Sequence, residues 1–270
     1  MQNVNRPEFL VCPPTYMSLS VPINRQMMDS KKKNDAICTS RAGAQWEDAM
    51  RRLSFAGAVI HRREAIPNLQ DLTFCADAGL VEGNTVLLSK YRYSIREKES
   101  EHHRKWLVEK GYVVRKSEYF FEGGDVVREG NTILIGYGFR SEFNAADQVR
   151  ALFPKRDVLS VSLIDPYFYH LDTCLHALDK QTILYYPPAI DASSQRMLKR
   201  KYKKAIPLLE EDALNFSANM VRIKDTAFLY DCSSELETTL AVLGYLVERL
   251  DLSEFLKTGG SINCLKLQLN

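Results

Sequence analysis

Cys264 lies in the run Thr258-Gly-Gly-Ser-Ile-Asn-Cys-Leu-Lys-Leu267. Gly259-Gly260 makes a sterically open turn, and the alternating Leu265, Leu267 and Leu269 predict a short buried strand. A thiol between a glycine turn and a core strand is held rigidly and can still be approached, which suits a nucleophile. The plainer reading of such a cysteine is a small buried hydrophobe. Two further segments favour chemistry: Phe121-Glu-Gly-Gly-Asp125 and Tyr169-His-Leu-Asp172. Alone, the first is a turn and the second a hydrogen-bonded, semi-buried histidine with an orienting aspartate. Together with Asp71 and Asp77 they supply carboxylates, an imidazole and a thiol.

Several carboxylates in one closed pocket favour a cationic, planar, donor-rich ligand, and a guanidinium fits best. A thiolate can add to the guanidinium carbon. An imidazole can protonate the departing amine and then activate water. Glu122 and Asp172 would hold the cation and stabilise an imidazolium. His170, Asp172 and His176 lack normal metal-ligand spacing on a strand unless a bulge intervenes, and no further His or Cys cluster supports them. Neither a metal nor a cofactor is expected.

The elements that must position these groups recur along the chain at a spacing of roughly 50 residues. Trp106 to Arg115 and Leu240 to Arg249 match closely as a helix ending in glycine followed by a strand, and Leu53 to His61 is a weaker copy. Helices are predicted over Gln45 to Phe55, Ile95 to Lys110 (acidic at its start, basic at its end), Ser193 to Lys204, and from Ser233 to Leu243. Strand pairs precede the later helices: Leu72 to Val81 with Thr85 to Ser89, and Val126 to Arg128 with Thr132 to Gly136. His170 to Leu178 pairs with Thr182 to Tyr186, and Asn215 to Ile223 with Thr226 to Asp231. The turns Glu82-Gly-Asn, Glu129-Gly-Asn, Asp179-Lys and Lys224-Asp suit hairpins. The unit is strand, strand, helix, strand, about five times over. Cys264 to Leu269 supplies the strand missing from the first unit and closes the ring. The first strands would then aim their motifs at a common axis.

The chain has 270 residues, 45% of them hydrophobic, enough for a full core. With 36 basic against 34 acidic residues, it carries no electrostatic footprint for nucleic acid or an anionic membrane. Lys31-Lys32-Lys33 reads as a solvated loop. Met1 to Pro7 carries no apolar leader core, and no stretch approaches the roughly 18 apolar residues of a membrane span. The six cysteines form no C-x-x-C pair. Reduced thiols in a cytoplasmic protein are expected. Nothing in the chain decides between a monomer and a homo-oligomer.

These blocks resemble the pentein, or guanidino-group-modifying, superfamily of arginine deiminases, dimethylarginine dimethylaminohydrolases, amidinotransferases and arginine dihydrolases. The likeness runs from Phe9-Leu-Val-Cys-Pro-Pro14 and Val21-Pro-Ile-Asn24 through Asp71-Leu-Thr-Phe-Cys-Ala-Asp-Ala-Gly-Leu80 and the Phe121 block. It continues through Gly136-Tyr-Gly-Phe-Arg140 and Phe168-Tyr-His-Leu-Asp-Thr-Cys174 to the Cys264 run. It implies one α/β domain over residues 1–270, a five-bladed propeller of ββαβ units. It also implies roles: Cys264 as nucleophile, His170 as general acid and base, and Glu122 as its carboxylate partner. Asp71, Asp77 and Asp172 would face the guanidinium. Arg140 would take the substrate carboxylate with Lys90 (or Arg92) as a second contact, and Asn24 and Ser261 would line the amino-acid end.

The resemblance points to hydrolysis of arginine or a methylated arginine to citrulline and an amine. Two-step dihydrolysis to ornithine, amidino transfer, and non-enzymatic binding as in the ribosome anti-association factors of this fold are the alternatives. Arginine dihydrolases have asparagine where this chain has Asp77, which favours stopping at citrulline.

Overall fold

The computed structural model describes residues 6–270. The leader reading therefore falls largely outside the described residues. The first unit holds β1 (Glu8–Val11), α1 (Arg25–Lys32), α2 (Thr39–Ala56) and β2 (Val59–Arg62). The second is β3 (Gly79–Glu82), β4 (Thr85–Leu88), α3 (Glu97–Glu109) and β5 (Val113–Lys116). The third is β6 (Val126–Glu129), β7 (Thr132–Tyr137), α4 (Ala145–Leu152) and β8 (Asp157–Ser162). The fourth is β9 (Leu175–Ala177), β10 (Thr182–Tyr185), α5 (Ala192–Lys201) and β11 (Lys204–Pro207). A short α6 (Glu210–Leu214) leads to β12 (Val221–Ile223), β13 (Thr226–Leu229), α7 (Ser234–Val242) and β14 (Leu246–Arg249). The chain ends with α8 (Ser253–Leu256) and β15 (Lys266–Gln268).

The strands form five three-stranded sheets, each with its first strand antiparallel and its third parallel to the middle one. In the first sheet the missing strand comes from the C-terminal end: β15 runs antiparallel to β1, with Phe9 opposite Gln268 and Val11 opposite Lys266. Five apolar clusters sit between neighbouring sheets. Leu10 and Leu267 meet Val81 and Leu88; Leu80 and Leu87 meet Ile133 and Ile135. Val127 and Leu134 meet Leu175 and Ile183, and Leu184 meets Ala227 and Leu229. The fifth cluster joins Val221 and Phe228 of the last sheet to Phe9 and Val11 of the first. That contact closes the ring. Each fully buried aliphatic or aromatic side chain contributes about 1.5–3 kcal/mol, so sealing is spread over all five seams.

The predicted glycine stops are in place: Gly57, Gly111 and Gly244 have φ of +119°, +88° and +89°. Ser233 caps α7 by accepting from Leu236 N at 3.1 Å. Three expectations are corrected. Lys31 and Lys32 belong to α1 rather than a loop, because Asn24 caps that helix by accepting from Met27 N at 2.8 Å. The last turn of α3 has no basic residue, since Lys110 lies just past it as the C-cap. The first strands of the second, fourth and fifth units are much shorter than the predicted Leu72 to Val81, His170 to Leu178 and Asn215 to Ile223, whereas β6 meets the predicted Val126 to Arg128. Cys75–Ala78, Gly123–Asp125 and Leu171–Thr173 are single 3-10 turns leading into β3, β6 and β9. There the backbone must bend to bring its side chains to the axis, which an extended strand would not do.

Candidate active site

The chemistry sits in these lead-in turns. Asp77, Asn219 and Cys264 occupy matching positions, each two residues before the first strand of its sheet. One small cavity is lined by Asp71, Asp77, Arg140, His170 and Cys264, together with Ile23, Asn24, Phe74, Arg96, Tyr169 and Thr258–Gly260. Its volume is about 10 Å³, room for roughly one water. A ligand larger than a water therefore requires part of this lining to give way.

Cys264 is buried. Its sulfur lies 3.2 Å from Asn219 Nδ2 and 3.7 Å from Asp172 Oδ2. Burial raises its pKa well above the ordinary thiol range, and the Asp172 and Asp77 carboxylates add to this, against the Ser261 backbone amide and the Asn219 amide. At rest it is a thiol. Asn219 fixes the whole turn: its Oδ1 accepts from the backbone of Asn263 at 3.1 Å and of Cys264 at 3.3 Å. Asn263 Nδ2 donates to Asp172 Oδ2 at 2.9 Å, while Asp172 Oδ1 is buried with no partner among the described residues. Burial, opposed first by His170, raises the Asp172 pKa to about 6.

His170 is the opposite case. Burial alone would keep it neutral, but Asp77, a hydrogen bond donated to Glu122 and the Asp125 charge outweigh burial and raise its pKa to about 9. Its Nε2 lies 3.0 Å from Glu122 Oε2 and its Nδ1 3.5 Å from Asp77 Oδ1. Glu122 is buried too, yet Arg140 and His170 hold it ionised, below the usual carboxylate range. Arg140 Nη1 donates to Glu122 Oε2 at 2.9 Å and Nη2 to Ile23 O at 3.1 Å. The Arg140 guanidinium lies between the rings of Tyr169 and Tyr93, 4.4 and 4.8 Å from their centroids.

The approach of these turns explains the double glycine. A Cβ on Gly123 would stand 2.1 Å from Ala76 O, and one on Gly124 would stand 2.5 Å from His170 Nδ1 and 2.6 Å from Asp77 Oδ1. Gly124→Ala is expected to push the imidazole off its carboxylates and cut kcat by about 100-fold or more, the scale of a misplaced catalytic group. Circular dichroism should show the fold retained. A kcat within threefold of wild type would contradict this packing.

Lys90 is not part of the site. Its backbone pairs with Phe121, which turns the side chain outward to Glu118 O at 2.8 Å and over the Phe120 ring. Arg92 also lies over Phe120, with its side chain on Arg140 O, and only its backbone amide reaches Glu122, at 3.1 Å. The second guanidinium at the cavity is Arg96, which sequence reasoning missed. Its Nη1 lies 2.6 Å from Asp77 Oδ2, and its Nε and Nη2 bind Glu99.

Asn24 lines the cavity, but its amide is committed to the α1 cap, Thr258 O at 2.9 Å and Tyr169 Oη at 3.2 Å. Ser261 is buried off the cavity, where its backbone N–H, rather than its hydroxyl, faces the sulfur. Asp71 is buried at the cavity with Gln70 Nε2 at 3.2 Å, and burial raises its pKa. Asp125 accepts from the backbone of Leu171 and Ser141, both at 3.1 Å, so it ties turns together. Asp77, Glu122 and His170 are close enough to hold a cation, but Arg96 and Arg140 already neutralise those carboxylates. His176 is elsewhere, on β9 beside Arg222 Nε at 3.2 Å.

A closed ring of five α/β units with a buried thiol, imidazole and carboxylates around its axis defines a pentein of the guanidino-modifying type. The family model for arginine deiminase matches residues 24–240, and the chain belongs to that family. It is 35% identical, over 98% of its length, to the bifunctional arginine dihydrolase/ornithine cyclodeaminase AgrE of Nostoc sp., of which it spans 38%. It is 32% identical to the N(G),N(G)-dimethylarginine dimethylaminohydrolase of Mycobacterium tuberculosis over 97% of this chain and 85% of that one. Its fold matches the N-terminal domain of ArgZ, an arginine dihydrolase from the ornithine-ammonia cycle in cyanobacteria, solved as a C264S mutant bound to substrate. That match has a TM-score of 0.92 at 33% identity, covering 98% of each chain.

Proposed function

We propose that this chain is a metal-free cysteine hydrolase of the guanidino group of arginine or an N-methylated arginine, and that residues 1–270 act as one catalytic domain. The observation that carries the reading is the charge state of the site: a neutral thiol 3.7 Å from a carboxylate with an unpartnered oxygen, beside an imidazolium held by Glu122. Such a site is complete once a cation enters. The guanidinium takes Asp172 Oδ1 and supplies the positive charge that a thiolate at Cys264 needs.

The sulfur loses its proton through Asp172 and forms a bond to the guanidinium carbon. His170 gives its proton to the departing nitrogen, so the C–N bond breaks and ammonia or methylamine leaves. A covalent thiouronium remains on Cys264. His170, now neutral, takes a proton from water, whose oxygen attacks the same carbon. The C–S bond breaks, the hydroxyl proton restores the Cys264 thiol, Asp172 gives its proton to solvent, and citrulline is released. Arg140, whose Nη2 holds only the Ile23 carbonyl, is the guanidinium available to a substrate carboxylate, Arg96 being committed to Asp77 and Glu99.

Citrulline, rather than ornithine, is the proposed product. Asp77 offers acceptors only, and Arg96 and the Gly124 amide already occupy them. A neutral ureido oxygen gains no donor there, whereas an asparagine would supply one. The test follows products from arginine, methylarginines and agmatine by mass. Citrulline should accumulate stoichiometrically with ammonia or methylamine. Ornithine without citrulline would place the chain with the two-step dihydrolases. No turnover of any of the three would reject the activity.

The pH dependence has a defined sign. Asp172 must be ionised and His170 protonated in the free enzyme. kcat/KM should therefore be lost as pH falls through about 6 and as it rises through about 9. A profile flat between pH 5 and 10 would contradict both assignments.

A further inference from the structure

The ring axis holds a second cavity, of about 200 Å³, walled by the first strands of all five sheets and reaching Asp172 and Asn263 at its inner end. The cavity containing Cys264 and His170 shares no lining residue with it.

The axial cavity holds a buried ammonium with no ion-pair partner among the described residues. Lys266, on β15, is 9% exposed, and its ammonium lies 5.2 Å over the Phe9 ring. Among the described residues its one hydrogen-bond acceptor is Gln268 Oε1 at 3.5 Å, a long contact, and no carboxylate lies within 4.0 Å. Arg128 also lines the cavity. It donates to Val81 O and stays 3.9 Å from Glu82, which Arg156 already engages. Arg222, by contrast, is satisfied by Glu129 at 2.8 Å and by His176 and Tyr245, both at 3.2 Å. Burial, then the neighbouring Arg128, lowers the Lys266 pKa to about 8, so at neutral pH it is still mostly charged. A buried ammonium with no carboxylate in contact is unfavourable, and a bound anion would relieve it.

We propose that the axial cavity is a binding site for a small inorganic oxyanion, held by Lys266 and Arg128 and separate from the cavity that holds the thiol. Its space is below the roughly 300 Å³ at which organic ligand pockets begin. A lysine with free N–H donors beside a guanidinium fork matches oxygens better than a halide. Asp172, a carboxylate at the inner end, keeps the anion toward the Lys266 side.

The test uses Cys264→Ser protein with saturating arginine, which fills the catalytic cavity and removes Arg140 as a competing anion site. Inorganic phosphate and, separately, bicarbonate are titrated by calorimetry, with sodium chloride at equal ionic strength as the control. One oxyanion per chain should bind, with affinity at least tenfold weaker in Lys266→Met and in Arg128→Met. Crystals of the unsubstituted protein soaked in selenate supply a readout independent of variant folding, with an anomalous peak expected beside Lys266. No oxyanion binding, binding unchanged in both variants, or selenate confined to other positions would overturn the proposal.

Discussion

Cys264→Ser is expected to lower kcat by on the order of 10⁴-fold or more, the scale seen when a covalent nucleophile is removed. The dissociation constant for arginine should change by less than about threefold, because the cation is held by Asp172 and the carboxylate end by Arg140 rather than by the sulfur. A serine hydroxyl retains the Asn219 contact and the volume of the turn, so thermal stability should be close to wild type. Rapid-quench turnover and equilibrium binding together decide the matter. Turnover within tenfold of wild type would move the chemistry to another group.

Glu122→Gln should combine the largest loss of stability with a shifted pH profile. Glu122 is fully buried, and its carboxylate faces His170 at 3.0 Å, Arg140 at 2.9 Å and Arg96 at 3.8 Å. The substitution keeps the shape and removes the charge, leaving buried cations under-compensated. Breaking such a cluster costs about 3–5 kcal/mol. His170 holds its proton to about pH 9 when folded against an ordinary 6.5. It therefore contributes stability that is complete below pH 6.5 and is lost as pH rises through 9. Without Glu122 that window narrows, and the basic limb of kcat/KM should move down towards neutrality. Chemical denaturation at pH 6 and pH 9, with the pH–rate profile, checks both effects. Unchanged stability and an unmoved basic limb would show that Glu122 is not the partner of the imidazolium.

What was legible in the chain was what local chemistry controls. Gly57, Gly111 and Gly244 marked helix ends because a left-handed residue is needed there, and the alternating leucines after Cys264 marked the closing strand. The groups that meet at the axis were legible as types: a thiol, an imidazole and carboxylates beside glycine turns. The bends were not. Leu72 to Val81 and His170 to Leu178 read as strands because their apolar residues alternate, yet the backbone turns at Cys75–Ala78 and Leu171–Thr173. That geometry is imposed by neighbouring turns, such as Ala76 N donating to Cys264 O at 3.1 Å.

Arg96 was hidden for a similar reason. It stands at the head of a highly charged helix, and its partner Asp77 is 19 residues away. Lys90 looked equivalent on a strand until its bridge to Phe121 turned it out. Asn219 left one usable signal, its matching place two residues before the first strand in the fifth unit, obscured because Asn215 to Ile223 read as strand throughout.

The central claim is that the reaction passes through a covalent bond to Cys264. It is tested most directly by mixing the wild-type protein with excess arginine and quenching in acid across a single turnover. Intact-protein and peptide masses are then measured. An adduct equal to arginine less one ammonia is predicted on the peptide containing Cys264, rising and then falling as citrulline forms, and absent from Cys264→Ser. Citrulline formation with no adduct at any time in the turnover, or an adduct on another residue, would contradict the account.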